Sequence, residues 1–284
     1  MTVKILADSI CSPSLEKVEE MGITIVPINI HFGEHVYRDL FEIKPEEIYR
    51  RLSSASELPT TSAPSVKRFA EAFKTVISEG QSLICFTVTS LMSNSYNVAL
   101  QARSEFTAEE ASRICIFDTE AAGAPAALMV IEAARLAEEG FSLAEIEARA
   151  SKMAASAKLV VMLDTLKYIE KSGRVGKVTA VAGDLFNVKP LICLHRGKTH
   201  FFGRARGKTQ AARMILNEFV KDTREARNVR VAATHANAGE DLEPLIRGVK
   251  EKFPDIEIDI ISFTPAMGFH AGPGIIGIGY TYFD

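Results

Sequence analysis

Three segments of the chain crowd hydroxyl side chains together: Ala7-Asp8-Ser9, Thr60-Thr61-Ser62-Ala63-Pro64-Ser65, and Thr89-Ser90-Leu91-Met92-Ser93-Asn94-Ser95-Tyr96. Each reads as a strand-to-helix turn. One hydroxyl there suffices to cap a helix by accepting an orphan backbone N–H. Three or four exceed that need, and free N–H groups with hydroxyls form a site for an anion. None of the turns has the glycine-rich loop plus Lys of a nucleotide site. A small anionic head such as a carboxylate therefore fits better than a triphosphate. A fourth segment, from Pro265 to Gly274, surrounds His270 with three glycines and two prolines. It reads as an irregular turn between strands, and loops on a rigid scaffold carry function.

Ser93 and His270 could also pair as nucleophile and base, which keeps a Ser–His acyl-ester hydrolase as the alternative chemistry. There is no G-x-S-x-G elbow. The third group of a triad is not near His270 in sequence, although folding could bring a carboxylate such as Asp8 close. The remaining histidines are scattered, with His31 and His35 on an expected hairpin, and no pair has metal-ligand spacing. Neither a metal nor a cofactor is assigned. Gly173 is a plausible helix C-cap after Lys171, with Arg174 next to it. Arg204-Ala205-Arg206 follows a strand signal and reads either as a solvated face or as a contact for an anionic partner.

The elements that must position these groups alternate strand and helix. Val3–Ala7, Ile23–Pro27, Leu83–Val88 and Ile114–Phe117 read as strands, and Asn29–Tyr37 as a hairpin around Gly33-Glu34. Between them run helical patterns over Ser14–Met21, Pro45–Leu52, Ser65–Ser78, Ser93–Phe106, Pro125–Glu139 and Leu143–Ser156. Strands separated by helices imply parallel pairing, hence an open α/β sheet. The second half is mixed α/β. An antiparallel pair is expected around Arg196-Gly197, and Ile275–Tyr282 is the closing strand. The fold class is α/β with two domains, 1–157 and 158–284, packed without a flexible linker.

With 284 residues, net charge −3, 47% hydrophobic and 24% charged residues, the chain is neither disordered nor low-complexity. A pI near 6.1 argues against a general nucleic-acid binder. The most apolar run, Ala121–Ala137, is broken by Pro125 and Glu132 and reads as a buried helix, not a membrane span. Cys11, Cys85, Cys115 and Cys193 show no paired spacing and read as reduced thiols of a cytoplasmic protein.

Taken together these segments resemble the DegV family of fatty-acid-binding proteins. The likeness runs through Asp8-Ser9, Thr60-Thr61-Ser62-x-Pro64-Ser65, and Ser90-x-x-Ser93-x-Ser95-Tyr96. It continues through Thr165-Leu166-x-Tyr168, Lys171-x-Gly173-Arg174, Lys189-Pro190, Arg204-x-Arg206 and His270-Ala271-Gly272-Pro273-Gly274. The resemblance implies one long-chain fatty acid held between two α/β domains. Its carboxylate would lie on Thr61 and Ser93, with His270 at the same end and Ser62 beside Thr61. It also implies a carrier, not an enzyme, that presents the acid to a separate ATP-dependent kinase subunit, with the acyl phosphate feeding phospholipid synthesis. Arg204 and Arg206 would then meet the kinase or the phosphate. A lipid sensor without a kinase is a further alternative. No transmembrane segment is expected, only transient membrane contact. The sequence departs from the family pattern at Asn94 and Ala63, where Gly and Gln are usual, and at Ser172-Gly173, where a Gly pair is usual.

Overall fold

The computed structural model describes residues 2–54, 58–173 and 188–284. The chain opens with β1 (Val3–Asp8), a 3₁₀ turn at Ser9–Cys11, α1 (Leu15–Glu20) and β2 (Thr24–Val26). Next come β3 (Asn29–Phe32), β4 (His35–Arg38), α2 (Pro45–Ser54), β5 (Thr60–Ser62), α3 (Val66–Ser78) and β6 (Ser82–Thr87). After α4 (Ser95–Arg103), α5 (Ala108–Ala111) and β7 (Ile114–Asp118), two longer helices follow, α6 (Ala124–Glu138) and α7 (Leu143–Ser156). The rest comprises β8 (Lys158–Met162), α8 (Lys167–Ser172), β9 (Lys189–His195), β10 (Lys198–Ala205), α9 (Lys208–Thr223) and β11 (Asn228–Ala236). It ends with α10 (Glu243–Lys252), β12 (Ile258–Ser262), α11 (Pro265–Ala271) and β13 (Ile275–Phe283).

The first sheet has the order β2-β1-β6-β7, and every pair in it is parallel. All of β6 is buried, as a strand covered by helices on both faces must be. The second sheet, β10-β9-β8-β13-β11-β12, is mixed, with only β11 and β12 parallel. A third, antiparallel sheet β4-β3-β5 carries the hairpin.

Helix α6 lies between the two large sheets, packing on β1 from one side and on β11 and β13 from the other. Its run of alanines permits this close approach, and β13 answers with glycine. A side-chain carbon at Gly279 would come within 2.5 Å of Ala124 Cβ and of Pro125 Cδ. The one acid inside the run, Glu132, is buried but doubly paired, to Arg149 at 2.7 Å and to Arg230 at 3.1 Å. That pairing is what a buried carboxylate requires. The Ala121–Ala137 run is thus a buried helix, and among the described residues no helix is long and apolar enough to cross a membrane. One core cluster runs from Ile5, Ile84 and Phe86 through α6 to Leu159, Val161 and Ile192, so the sheets share a single apolar layer.

Three expectations need correction. Thr60-Thr61-Ser62 is not a helix-start turn. It is β5, paired with β3 so that Ile30 lies opposite Thr61, and the cap of α3 is Ser65, accepting from the Arg68 N–H. Pro265–Gly274 is not irregular throughout. Thr264 caps α11 and Pro265 fills its first turn, where a missing N–H is harmless, and the left-handed glycines Gly272 and Gly274 come only after it. Helix α4 begins at Ser95, two residues later than expected, because Ser93 is spent on the turn before it. The short α5, with its Thr107–Glu110 capping box, was not anticipated.

Candidate functional site

A cavity of about 540 Å³ opens between the end of the parallel sheet and one face of the mixed sheet. Strand periodicity builds its floor. Leu159 and Val161 on β8 point the same way, and their register partners Leu194 and Ile192 on β9 complete the face. Val160, Met162, Leu191 and Cys193 point the opposite way, into a separate core against α9. Ile10, Ile28, Val88, Ala122 and Phe263 add further apolar wall. The polar lining is Thr61, Ser62, Ser93, Asn94 and His270, with Ser172 and Thr199. Among the described residues no Asp, Glu, Lys or Arg lines the cavity.

The central contact of the polar group is a 3.1 Å hydrogen bond between Thr61 Oγ1 and His270 Nε2. It joins residues 209 positions apart, one from β5 and one from α11. Both are half-buried, as is Ser93, while Ser62 and Asn94 are exposed, so this region is where the cavity meets solvent. Ser93 Oγ lies 3.0 Å from Ser95 Oγ and accepts the Ser95 N–H at 3.2 Å. Asn94 stands at the start of α4 without capping it, its Oδ1 accepting from Asn97 Nδ2. Ser62 Oγ accepts from Asn29 Nδ2 and lies 2.9 Å from His31 Nε2, which ties β5 to β3.

The first hydroxyl turn plays a different part. Asp8 and Ser9 do not line the cavity, but Ile10 beside them does. Asp8 Oδ1 accepts the Ile10 and Cys11 N–H groups and Oδ2 accepts the Val88 N–H at 2.9 Å. The carboxyl therefore clamps the ends of β1 and β6, setting two wall residues. Complete burial pushes its pKa up to about 6 against those hydrogen bonds. Asp8 thus serves the backbone of Ile10, Cys11 and Val88.

A second buried carboxylate, Asp39, had no signal in the sequence. Its Oδ1 accepts the Ala266 N–H at 2.9 Å, and its Oδ2 accepts the Ser9 hydroxyl at 2.6 Å. Burial raises its pKa to about 6. Only a fold that brings residues 39 and 266 together reveals this role.

Arg204 and Arg206 are exposed at the end of β10 and do not line the cavity. Arg204 lies over the Phe201 ring, 5.8 Å from its centroid. The Arg206 N–H donates to Gln210 Oε1 at the start of α9. Gly173 ends α8 in the left-handed conformation, as expected of a C-cap; Arg174 lies outside the described residues. Among those residues no group of three or more His, Cys, Asp or Glu is placed to hold a metal. The four cysteines are free, and burial raises the pKa of each, so none is poised as a nucleophile.

This architecture has close counterparts. A DegV family protein from Thermus thermophilus, whose structure concerns fatty-acid binding, superposes with a TM-score of 0.92 at 26% identity, covering 100% of both chains. A stearic-acid-binding protein from Eubacterium ventriosum superposes with a TM-score of 0.88 at 29% identity, over 99% of this chain and 98% of that one. A DegV domain-containing protein from Clostridium acetobutylicum is 28% identical over 281 residues, 99% of this chain and 98% of its own. The family model described as "Uncharacterised protein, DegV family" matches residues 2–282, and the chain belongs to that family.

Proposed function

We propose that this protein is a carrier for one long-chain fatty acid. The carboxylate sits against Thr61, Ser93 and His270, with Ser62 alongside, and the tail runs along the β8–β9 floor. The observation that carries this reading is the cavity itself, with apolar walls, no charged lining residue among those described, and the Thr61–His270 pair at its polar part. A volume of about 540 Å³ falls within the range of small-ligand sites. Each buried methylene contributes about 0.8 kcal/mol, so a dozen supply roughly 10 kcal/mol before the costs of association. The head group then needs only to remain hydrogen-bonded, which two hydroxyls and an imidazole accomplish. The fatty-acid-binding relatives from Thermus and Eubacterium support the same reading.

The finer function follows the family resemblance. The bound acid is presented in the cytoplasm to an ATP-dependent kinase subunit. A carboxylate oxygen takes the γ-phosphoryl group and ADP leaves, giving an acyl phosphate for phospholipid synthesis. Arg204 and Arg206, exposed and outside the cavity, suit contact with that partner. The protein itself is not the enzyme. The domains are 1–157 and 158–284, a division supported by the strands: those of the parallel and hairpin sheets come from residues 3–118, and those of the mixed sheet from residues 158–283. Reconstitution tests the proposal. Stearate loaded on the protein should become an acyl phosphate when the kinase subunit and ATP are added, and the kinase should not act on free stearate. Equal turnover of free and loaded acid would rule out a carrier.

A further inference from the structure

The position of His270 is set by α11, a helix of only seven residues that also supplies Ala266, Met267 and Ala271 to the cavity wall. So short a helix has little stability of its own, and its orientation comes from what grips it. Thr264 already caps it by accepting the Met267 N–H. Asp39 grips the same end a second time, through the Ala266 N–H. A fully buried carboxylate is a costly way to satisfy one more backbone donor.

The surroundings of Asp39 extend well beyond a cap. Its other oxygen accepts from Ser9, and the Ser9 hydroxyl oxygen in turn accepts the Ile28 N–H at 3.1 Å. The Asp39 N–H donates back to the Ile28 carbonyl at 2.9 Å. A closed ring of hydrogen bonds thus joins Ser9, Ile28 and Asp39, and Asp39 links that ring to the start of α11 through the Ala266 N–H. Ile28 is itself a cavity wall residue. The next residue, Leu40, is held at φ 69°, a left-handed conformation that a leucine adopts only when its surroundings enforce it. Backbone strain is therefore accepted at the point where Asp39 turns inward. α2 also packs against α11, so closely that a side-chain carbon at Gly268 would lie 2.2 Å from Tyr49 Oη. Asp39 and Tyr49 thus both hold α11, one at the Ala266 N–H and one at Gly268.

We infer that Asp39 is a positioning residue for the fatty-acid carboxylate: by holding the start of α11 against the Ser9–Ile28 ring, it fixes where His270 presents Nε2 to Thr61 and to the head group. The inference deepens the fatty-acid reading and rests on it.

The test uses the full-length, delipidated protein and stearate displacement of a fluorescent fatty acid. It is run well below the melting temperature of every variant. Asp39→Ala should weaken stearate binding about tenfold or more, since an interaction with a charged group is lost indirectly. Asp39→Asn should restore affinity to within about threefold of the parent, because its Oδ1 still accepts from Ala266 and its Nδ2 can donate to Ser9 Oγ. In a His270→Ala background, Asp39→Ala should add less than about a twofold loss, because both changes remove the same interaction. Unchanged affinity in folded Asp39→Ala overturns the inference. So does an equal fold-loss with and without His270, which marks a purely structural carboxylate. If Asp39→Ala does not fold, Ser9→Ala takes its place, with a severalfold loss expected only when His270 is present. A parent protein that binds no stearate overturns the fatty-acid reading and this inference together, whereas a parent that binds with the variants unchanged overturns only this one.

Discussion

Replacing Thr61 by Val removes one hydroxyl and changes almost nothing else. Valine is β-branched, so β5 keeps its strand preference and its place opposite Ile30. What disappears is Thr61 Oγ1, the partner of His270 Nε2 at 3.1 Å. A hydrogen bond to a charged group contributes about 1.5–3 kcal/mol, and each 1.4 kcal/mol is a factor of ten in affinity. Stearate should therefore bind Thr61→Val about tenfold to a hundredfold more weakly than the parent. The apolar floor of Leu159, Val161, Ile192 and Leu194 lies on other strands and stays intact. Octadecanol, with the same tail and no carboxylate, should lose only about fivefold at most, since neutral hydrogen bonds contribute about 1 kcal/mol or less. Displacement of a fluorescent fatty acid reads both ligands in one assay. Equal losses for acid and alcohol would show that Thr61 acts on the cavity as a whole. No loss for either would remove it from the head-group site.

Val161→Phe fills the floor from the centre of the β8–β9 face, so affinity for 18-carbon acids should fall at least about tenfold while medium-chain acids bind comparatively well; a uniform loss across chain lengths in the same displacement assay would count against a tail on that floor. Arg204→Ala should leave stearate affinity within about twofold, because the side chain is exposed and outside the cavity, yet slow acyl-phosphate formation by the kinase subunit; collapsed binding with normal turnover per bound acid would reverse the assignment. Asp39 gives a pH signature in stability. Its pKa is raised from 3.8 to about 6 in the folded state, so the native protein binds the proton more tightly than the unfolded chain. Its contribution to stability therefore rises as pH falls through 6 and levels off below about 4, by on the order of 3 kcal/mol. Urea unfolding from pH 7 to pH 4 should show the parent gaining that much relative to Asp39→Asn, and parallel curves would refute the burial-driven shift.

Much of the fold was legible because periodicity and punctuation are local. Short apolar runs marked β1, β6 and β7, the Gly33-Glu34 and Arg196-Gly197 pairs marked both hairpins, and Ser14 and Ser65 stood at helix starts. The candidate residues stood out as a crowd of hydroxyls and one histidine, and the fold places Thr61, Ser62, Ser93 and His270 on one cavity. What misled was the reason assigned to the crowd. Thr61 and Ser62 serve a strand, and their proximity to α3 reflects only the short distance to its real cap, Ser65. The glycines around His270 masked a helix, because Gly268 counts against helix on propensity while its packing beneath Tyr49 requires it. Asp39 could not be found at all. A single acid at the end of a hairpin looks like any solvated turn until residue 266 arrives above it.

Native mass spectrometry of the full-length protein, purified from cells without added lipid, is the most direct measurement. A fatty-acid carrier should leave the column with one molecule bound per chain, at a mass in the range of long-chain acids. That mass should fall away on delipidation and return on adding stearate. In Val161→Phe purified the same way, the 18-carbon mass should be depleted. A bare chain that stays bare at saturating stearate, or a chain carrying a hydrophilic adduct in place of a fatty acid, would contradict a lipid carrier built on this cavity.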